Sequence, residues 1–452
     1  MTQDVAEQID DLRGSEAGLR REVQEILEEA RRQGATAAEV GVSRSLGLTV
    51  TVRRGELETV EFTRDQGFGI TVYVGHRKGT ASTTDARPSA VQDTVQKALE
   101  IARHTAEDPA AGLADASLMA TELPELDLFH PWSVEVADAE ALARECERAA
   151  LGTDRRITNS EGATLSTSQS CRAYGNSHGF VGSGCGTRHG VSVSVIASDA
   201  QGMQRDYWYT SSRVPAELES PEAVGRRAAE RALARLGARP VDTNRVPVAF
   251  ATEIAPGLIG SFLSAISGGA LYRRASFLCD SLGTRLFPER VRIDERPLEP
   301  RGFGSAAFDG DGVATRPKAI VEAGRLVSYL LSAYSGRRLG MASTGNAGGV
   351  HNLYVSDDGM DLDRLLGHMG RGMLVTELMG QGFNAVTGDY SRGAAGFWIE
   401  DGAIAFPVQE VTVAGNLRDM LGGIVAVAAD ATRPANVHCG TLLIEGMTVA
   451  GK

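Results

Sequence analysis

The sequence predicts an α+β protein of two domains. Residues 1–240 read as an N-terminal domain of antiparallel strands with flanking helices, and residues 241–452 as a mostly-β, barrel-like C-terminal domain. Three observations carry this reading. At 452 residues the chain is too long for one ordinary core. In the first half, segments of helical period are separated by meanders of alternating strands, which is not a βαβ pattern. In the second half glycine is dense, short strands dominate, and one segment, Ile254–Ser267, reads as a well-formed helix covering the sheet.

The elements follow in order. Leu19, Val23, Ile26, Leu27 and Ala30 fall on one face of a helix over Glu16–Gln33, and Gly34 stops it. The period then changes to two: Val40–Val52 alternates, Arg53-Arg54-Gly55 is a tight turn, and Glu56–Phe62, Gly67–Val74 and Gly79–Thr84 are further strands. A helix over Ser89–Thr105 precedes an irregular, acidic stretch, Ala106–Pro131, and helical period returns at Val136–Leu151. Between Thr158 and Ser212, Asn159–Gly162 and Asn176–Gly179 read as turns of antiparallel hairpins. Pro221–Leu236 is a helix with proline in its first turn, and Gly237-Ala238-Arg239-Pro240 ends it at the domain boundary. Beyond it lie strands at Val246–Ala251, Ala319–Val321, Arg325–Leu331, Gly396–Ile399, Ala403–Phe406, Glu410–Ala414 and Thr441–Val449.

Composition excludes several functions. The formal charge is −12, which opposes direct binding to nucleic acid. The polar opening Met1–Asp4 lacks the basic and apolar regions of a secretory signal, and no apolar run is long enough to span a membrane. Cys146, Cys171, Cys185, Cys279 and Cys439 are scattered without CxxC spacing, so reduced thiols in a cytoplasm are expected.

No self-sufficient active site emerges from the residues. None of the eight histidines sits three to five residues from another, the spacing a helical zinc site uses. His178 and His189 flank Cys185, which leaves a His/Cys/His site or a thiol nucleophile to weigh against loop histidines bonded locally. The glycine runs Gly182–Gly186 and Gly345–Gly349 lack phosphate-loop spacing and read as tight turns. Asp309, Asp311, Asp357 and Asp358 are loop acids without calcium-loop spacing. Two polar stretches remain. His351 and Asn352, together with Asp389, Tyr390, Ser391 and Arg392, offer groups that bind peptide backbone or a partner chain, or that bond internally.

Those stretches also carry a resemblance. Gly345-Asn346-Ala347-Gly348-Gly349-Val350-His351-Asn352-Leu353, Glu377–Gly382, Thr387–Glu400, Pro407–Leu417 and, nearer the start, Phe62–Gly69 resemble the TldD/PmbA family of metallopeptidases over nearly the whole chain. The resemblance implies a heterodimer. A TldD-type subunit binds zinc with an HExxxH helix and a further cysteine, and the PmbA-type (TldE) subunit completes a cleft for unfolded peptide. In this chain the motif helix corresponds to Leu263–Ala270. Ser264 and Gly269 stand where the histidines would be and Ala265 where the glutamate would be, and Cys439 does not match the ligand cysteine. Serine and glycine do not hold zinc, and alanine cannot deprotonate a bound water. The resemblance therefore implies a non-catalytic subunit with no metal of its own, with zinc in a TldD-type partner. Alternatives in view are a related amide hydrolase in specialised metabolism and a regulator acting indirectly on DNA gyrase inhibition.

Overall fold

The computed structural model describes residues 16–431 and 435–451; the opening Met1–Asp4 lies outside them. The chain forms two compact units. The first runs to Ala197 and adds Arg205–Ala232 and Ala307–Thr315. The second takes Ser198–Gln204, Leu233–Ala306 and the chain from Arg316 onward.

In the first unit, helix α1 (Glu16–Arg32) is followed by strands β1 (Ala37–Arg53), β2 (Glu56–Val74) and β3 (Arg77–Thr83), then by α2 (Pro88–His104) and α3 (Val136–Leu151). Strands β4 (Ile157–Asn176), β5 (Val181–Asp199) and β6 (Gly202–Ser212) and helix α4 (Pro221–Ala234) complete it. The sheet order is β3-β2-β1-β4-β5-β6, and the pairs from β3 to β5 are antiparallel. The apolar stripe of α1, Leu19, Val23, Ile26 and Ala30, is buried with Val95, Ala98, Leu99 and Ala102 of α2 against Val40, Val42, Phe68, Ile70 and Val72 of the sheet.

The β1–β2 turn closes as the sequence predicts. Arg54 and Gly55 both take positive φ, 52° and 75°, which makes the two-residue hairpin turn that matches strand twist. Its amides do not face water. Buried Glu147 of α3 accepts from Arg54 N at 2.8 Å and Gly55 N at 2.7 Å, so one carboxylate fastens the hairpin tip to the helix.

Other local readings change. The strands expected at Glu56–Phe62 and Gly67–Val74 are one continuous strand. Asn159–Gly162 is not a hairpin turn but a bulge inside β4, where the register shifts and Gly162 takes φ 114°. Gly182–Gly186 lies within β5 instead of a turn. The expectation of five reduced thiols is also corrected. Cys171 and Cys185 are directly opposed on β4 and β5 and form a disulfide, a pairing set by strand register that the spacing of the two residues does not reveal.

The second unit opens with β7 (Asn244–Phe250), α5 (Ala255–Ala265) and α6 (Gly268–Tyr272), then the short strands β8 (Ile293–Glu295), β9 (Lys318–Glu322) and β10 (Arg325–Leu326). It continues through α7 (Ala333–Leu339), β11 (Leu353–Val355), α8 (Leu362–Met369), β12 (Gly372–Met379), β13 (Asp389–Glu400), β14 (Ala403–Asn416), α9 (Leu417–Gly422), β15 (Ile424–Val427), β16 (Val437–His438) and β17 (Leu442–Ala450). Strands β14-β13-β12-β7-β17 pair in that order, and β14 also pairs with β17, so five strands close into a barrel. Alternation sorts the two faces. Val246, Val248 and Phe250 of β7 join the cluster holding Leu258, Ile259 and Phe262 of α5, whereas Ala249 and Ala251 join the cluster of Leu365, Leu366 and Met369 of α8. The helix expected over Ile254–Ser267 is α5, ending two residues early at Ala265, but it is not the unit's single helix; α6 follows it, and α7, α8 and α9 are short helices whose apolar positions are too few to stand out by period.

Helix α4 meets α3 at a glycine. A Cβ on Gly225 would lie 2.2 Å from the Cys146 carbonyl oxygen and 2.9 Å from Ala150 N, both fixed backbone atoms. Gly225→Ala gains about 1 kcal/mol of helix propensity, but overpacking of this kind costs about 1–3 kcal/mol and the carbonyl cannot swing aside. The variant is expected to lower the urea midpoint with the slope unchanged.

Candidate functional site

A cavity of about 620 Å³ opens in the second unit where α5 gives way to α6. Leu263, Ser264, Ser267, Gly268 and Gly269 form one wall. Tyr272, Leu330, Ser332, Tyr334 and Ser335 form another, and the loop Asn346–Val350 closes the rim. Asn436 and Val437 complete the lining, and among the described residues no Asp, Glu, His, Cys, Lys or Arg belongs to it.

The wall follows from the break between the two helices. Leu330 N donates to Ile266 O at 3.1 Å and Gly268 N donates to Leu330 O at 2.8 Å, so an extended segment takes the backbone groups a continuing helix would use. Ser267 restarts the chain as the cap of α6. Its hydroxyl donates to Ser264 O at 2.8 Å and accepts from Ala270 N at 3.4 Å. Gly268 permits the approach, since a Cβ there would sit 2.2 Å from Ser335 Oγ. Ser335 is itself held in a capping box with Ser332 at the start of α7.

This geometry places differently the three residues that the resemblance sets against the metal motif. Ser264 and Gly269 line the cavity from separate helices. The Ser264 hydroxyl turns back to Ser261 O at 2.8 Å. Ala265 is fully buried in the core cluster and does not line the cavity. These residues do not fit a zinc ion. A serine bonded to its own helix and a glycine offer no ligand set, and no base position faces the cavity. Among the described residues no three His, Cys, Asp or Glu side chains come together to hold a metal.

The rim loop is organised from behind by Glu295 of β8. This carboxylate is buried. Its Oε1 accepts from His351 N and from Asn346 Nδ2, both at 2.8 Å, and lies 3.1 Å from His351 Nδ1. Its Oε2 lies 2.5 Å from Lys318 Nζ, which also donates to Thr344 O at 2.7 Å. Burial pushes the Glu295 carboxyl up, but the His351 hydrogen bond and the Lys318 ammonium outweigh it and hold the group below its ordinary value. Asn346 donates onward to Gly349 O at 3.0 Å, and Gly345, Gly348 and Gly349 all take positive φ, a path only glycine follows without strain.

His351 and Asn352, candidates for peptide or partner contact, lie behind this loop. Asn352 is fully buried, donates to Arg296 O and Ser305 Oγ, and accepts from Gly304 N. The other polar stretch stands apart from the cavity lining. Tyr390 is buried against Phe250, with ring centroids 6.3 Å apart, and burial raises its pKa while the Arg392 guanidinium pulls the other way. Asp389 accepts from Thr387 Oγ1 at 2.6 Å and Asn416 Nδ2 at 3.3 Å, and Ser391 is exposed. Sequence reading missed Tyr272 and Tyr334, which meet edge to face at 5.7 Å, and Glu295 and Lys318, which no local motif marks.

The remaining candidates are engaged elsewhere. His178 Nε2 bonds Ala114 O and His189 bonds Thr167 Oγ1 and His130 O, while Cys185 is in the disulfide. Asp309 and Asp357 accept backbone amides in turns, and Asp358 accepts from Val427 N of β15 and pairs with Arg290. Burial pushes the Cys439 thiol well above its usual range, and Cys146 up to about 12, so both are inert.

This fold and site define a class. The chain belongs to the PmbA/TldD metallopeptidase family. It matches PmbA/TldA metallopeptidase domain 1 over residues 38–102, the central domain over 129–236 and the C-terminal domain over 243–451. Within the family it is 48% identical to Metalloprotease PmbA of Escherichia coli O157:H7 over 92% of each chain. It is 46% identical to the PmbA homolog of Haemophilus influenzae over 97% of this chain and 98% of that one. A candidate modulator of DNA gyrase from Bacteroides thetaiotaomicron, 27% identical, superposes with a TM-score of 0.90 over 96% of this chain and 98% of that one. TldE from Thermococcus kodakarensis, 20% identical, shares the fold with a TM-score of 0.80 over 95% and 100%.

Glu295 sets a pH dependence. Its folded-state pKa lies below the unfolded value, so the stability it contributes is full above the ordinary carboxylate value and is lost as pH falls through the folded one. Glu295→Gln removes one partner of a buried pair and is expected to cost on the order of 3 kcal/mol at neutral pH. Urea melts from about pH 6 down to about pH 3 should show the gap between the two proteins closing at the acid end.

Proposed function

We propose that this chain is the non-catalytic subunit of a two-subunit metallopeptidase, and that a TldD-type partner supplies the zinc and the general base. The observation that carries the reading is the wall of the cavity, where serine and glycine occupy the two ligand positions of the family motif and the glutamate position is an alanine turned into the core. The fold is kept while the chemistry at its motif is gone, and function follows the site.

What remains suits an extended, unfolded peptide. Among the described residues the cavity lining is uncharged, made of hydroxyls, the amides of Asn346 and Asn436 and apolar side chains, with a glycine loop at its rim. Such a surface bonds peptide main chain and tolerates many side chains. His351 and Asn352 serve it by holding the loop, and Ser391 and Arg392 of the second polar stretch are offered to the partner or to peptide.

Mixing tests this. The purified chain alone should leave an unstructured peptide intact, and adding a TldD-type subunit should give cleavage that neither protein gives singly. Enlarging a wall residue, as in Gly269→Leu, should raise the KM of the mixture for peptide by about tenfold with kcat little changed, since only uniform binding is lost. Cleavage by this chain alone, or by the partner alone at the full rate, contradicts the proposal.

A further inference from the structure

The cavity lining carries no charge among the described residues, but its lip does. Arg273 follows α6 directly, four residues beyond Gly269 and so on the same side of the helix. Its guanidinium lies over that glycine: a Cβ on Gly269 would sit 3.3 Å from Arg273 Nη2. Arg273 Nη1 donates to the Tyr272 hydroxyl at 3.0 Å, so the side chain, though exposed, is tied to its neighbour. Gly269 and Tyr272 both line the cavity, and the guanidinium therefore borders it.

A second guanidinium reaches the same ring. Arg273 and Arg338 of α7 lie 5.2 and 5.6 Å from the centre of Tyr272, whose ring also meets Tyr334 edge to face. In a chain of formal charge −12 this is a local reversal of sign. The next residue, Arg274, is matched by an acid, Asp280, at 2.8 Å. Arg273 is not: its partner is a neutral hydroxyl, and among the described residues no carboxylate pairs with it. That hydroxyl accepts from Arg273 and keeps its own proton to donate, and most of the guanidinium's five N–H groups remain to be used.

We propose that Arg273 and Tyr272 bind a carboxylate of the peptide whose main chain lies in the cavity. The planar guanidinium fork matches the two oxygens of a carboxylate, and the Tyr272 hydroxyl supplies a further donor from the cavity wall. Arg338 adds positive charge on the same side without having to touch the ligand. The carboxylate is either the peptide's free C-terminus or an aspartate or glutamate side chain; the chemistry is shared. Arg273 is thus a specificity residue and takes no part in bond cleavage. The hydroxyls and amides of the wall bond main chain of any sequence, whereas this one charge at the lip favours a peptide carrying an acid and sets which way it lies. The inference rests on the reading of the cavity as a peptide site and adds a preference to it.

Calorimetry of the full chain with three short peptides of alanine, serine and glycine, all acetylated at the N-terminus, tests it. One ends in a free carboxylate, one is amidated, and one is amidated but holds a single internal aspartate. The chain should bind at least one carboxylate peptide about tenfold more tightly than the plain amide, and the one preferred identifies the source of the carboxylate. Arg273→Gln should abolish that preference and leave the affinity for the amide within about twofold. Arg274→Gln, which removes a charge already paired with Asp280, should leave all three affinities unchanged. Both positions are exposed, and unchanged urea melts confirm that each variant folds. Equal binding of the three peptides, a preference that survives Arg273→Gln, or the same loss in Arg274→Gln would overturn the inference while the peptide site stands. A chain that binds none of the three overturns both.

Discussion

The cavity depends on one buried carboxylate. Glu295 sits at the end of a three-residue strand, yet it gathers Lys318 from the neighbouring strand, the side chain of Asn346 from the rim loop, and the main chain and side chain of His351 just beyond it. A carboxylate with no exposure is costly unless every lone pair is engaged. Here the cost is offset by a cation and directed donors, and the consequence is a glycine loop held in a path it would not keep unaided. The family's glycine-rich signature therefore reads physically as a backbone shape, with His351 and Asn352 as its fasteners.

The second constraint is the break between α5 and α6. A metal motif needs its ligands on one rigid helical face, with a base aimed at the same point. In this chain an extended segment around Leu330 competes for the backbone of residues 266–268, and Gly268 lets Ser335 close against the gap. Ser264 and Gly269 end up on a cavity wall and Ala265 in the core. The same local packing sets where these three side chains lie, and the proposed binding role rests on that placement together with a lining that is uncharged among the described residues.

Much of the fold was legible. The stripe of α1, the positive-φ turn at Arg54-Gly55 and the bounds of α3 follow from period and turn chemistry, which act over a few residues. What was not legible depends on distant partners. The Cys171–Cys185 disulfide needs the register of β4 against β5. The bulge at Gly162 needs a neighbouring strand, and closure of the barrel needs β14 to reach β17. Helices α7, α8 and α9 are too short for a period to declare itself. At the site, positions 264, 265 and 269 were singled out by the resemblance alone. Glu295, Lys318, Tyr272 and Tyr334 were not, because nothing in their immediate sequence distinguishes them from ordinary strand and helix residues. Tyr390 was read as a candidate for peptide or partner contact and is a core side chain, on a strand that begins one residue earlier, at Asp389.

The central claim is that the motif-bearing wall of this chain has no affinity for zinc. Titration calorimetry of zinc into the purified, metal-stripped chain measures it directly. The account expects no saturable heat at one equivalent, and the same trace for wild type and for Ser264→Ala. A stoichiometric site weakened by Ser264→Ala would contradict it.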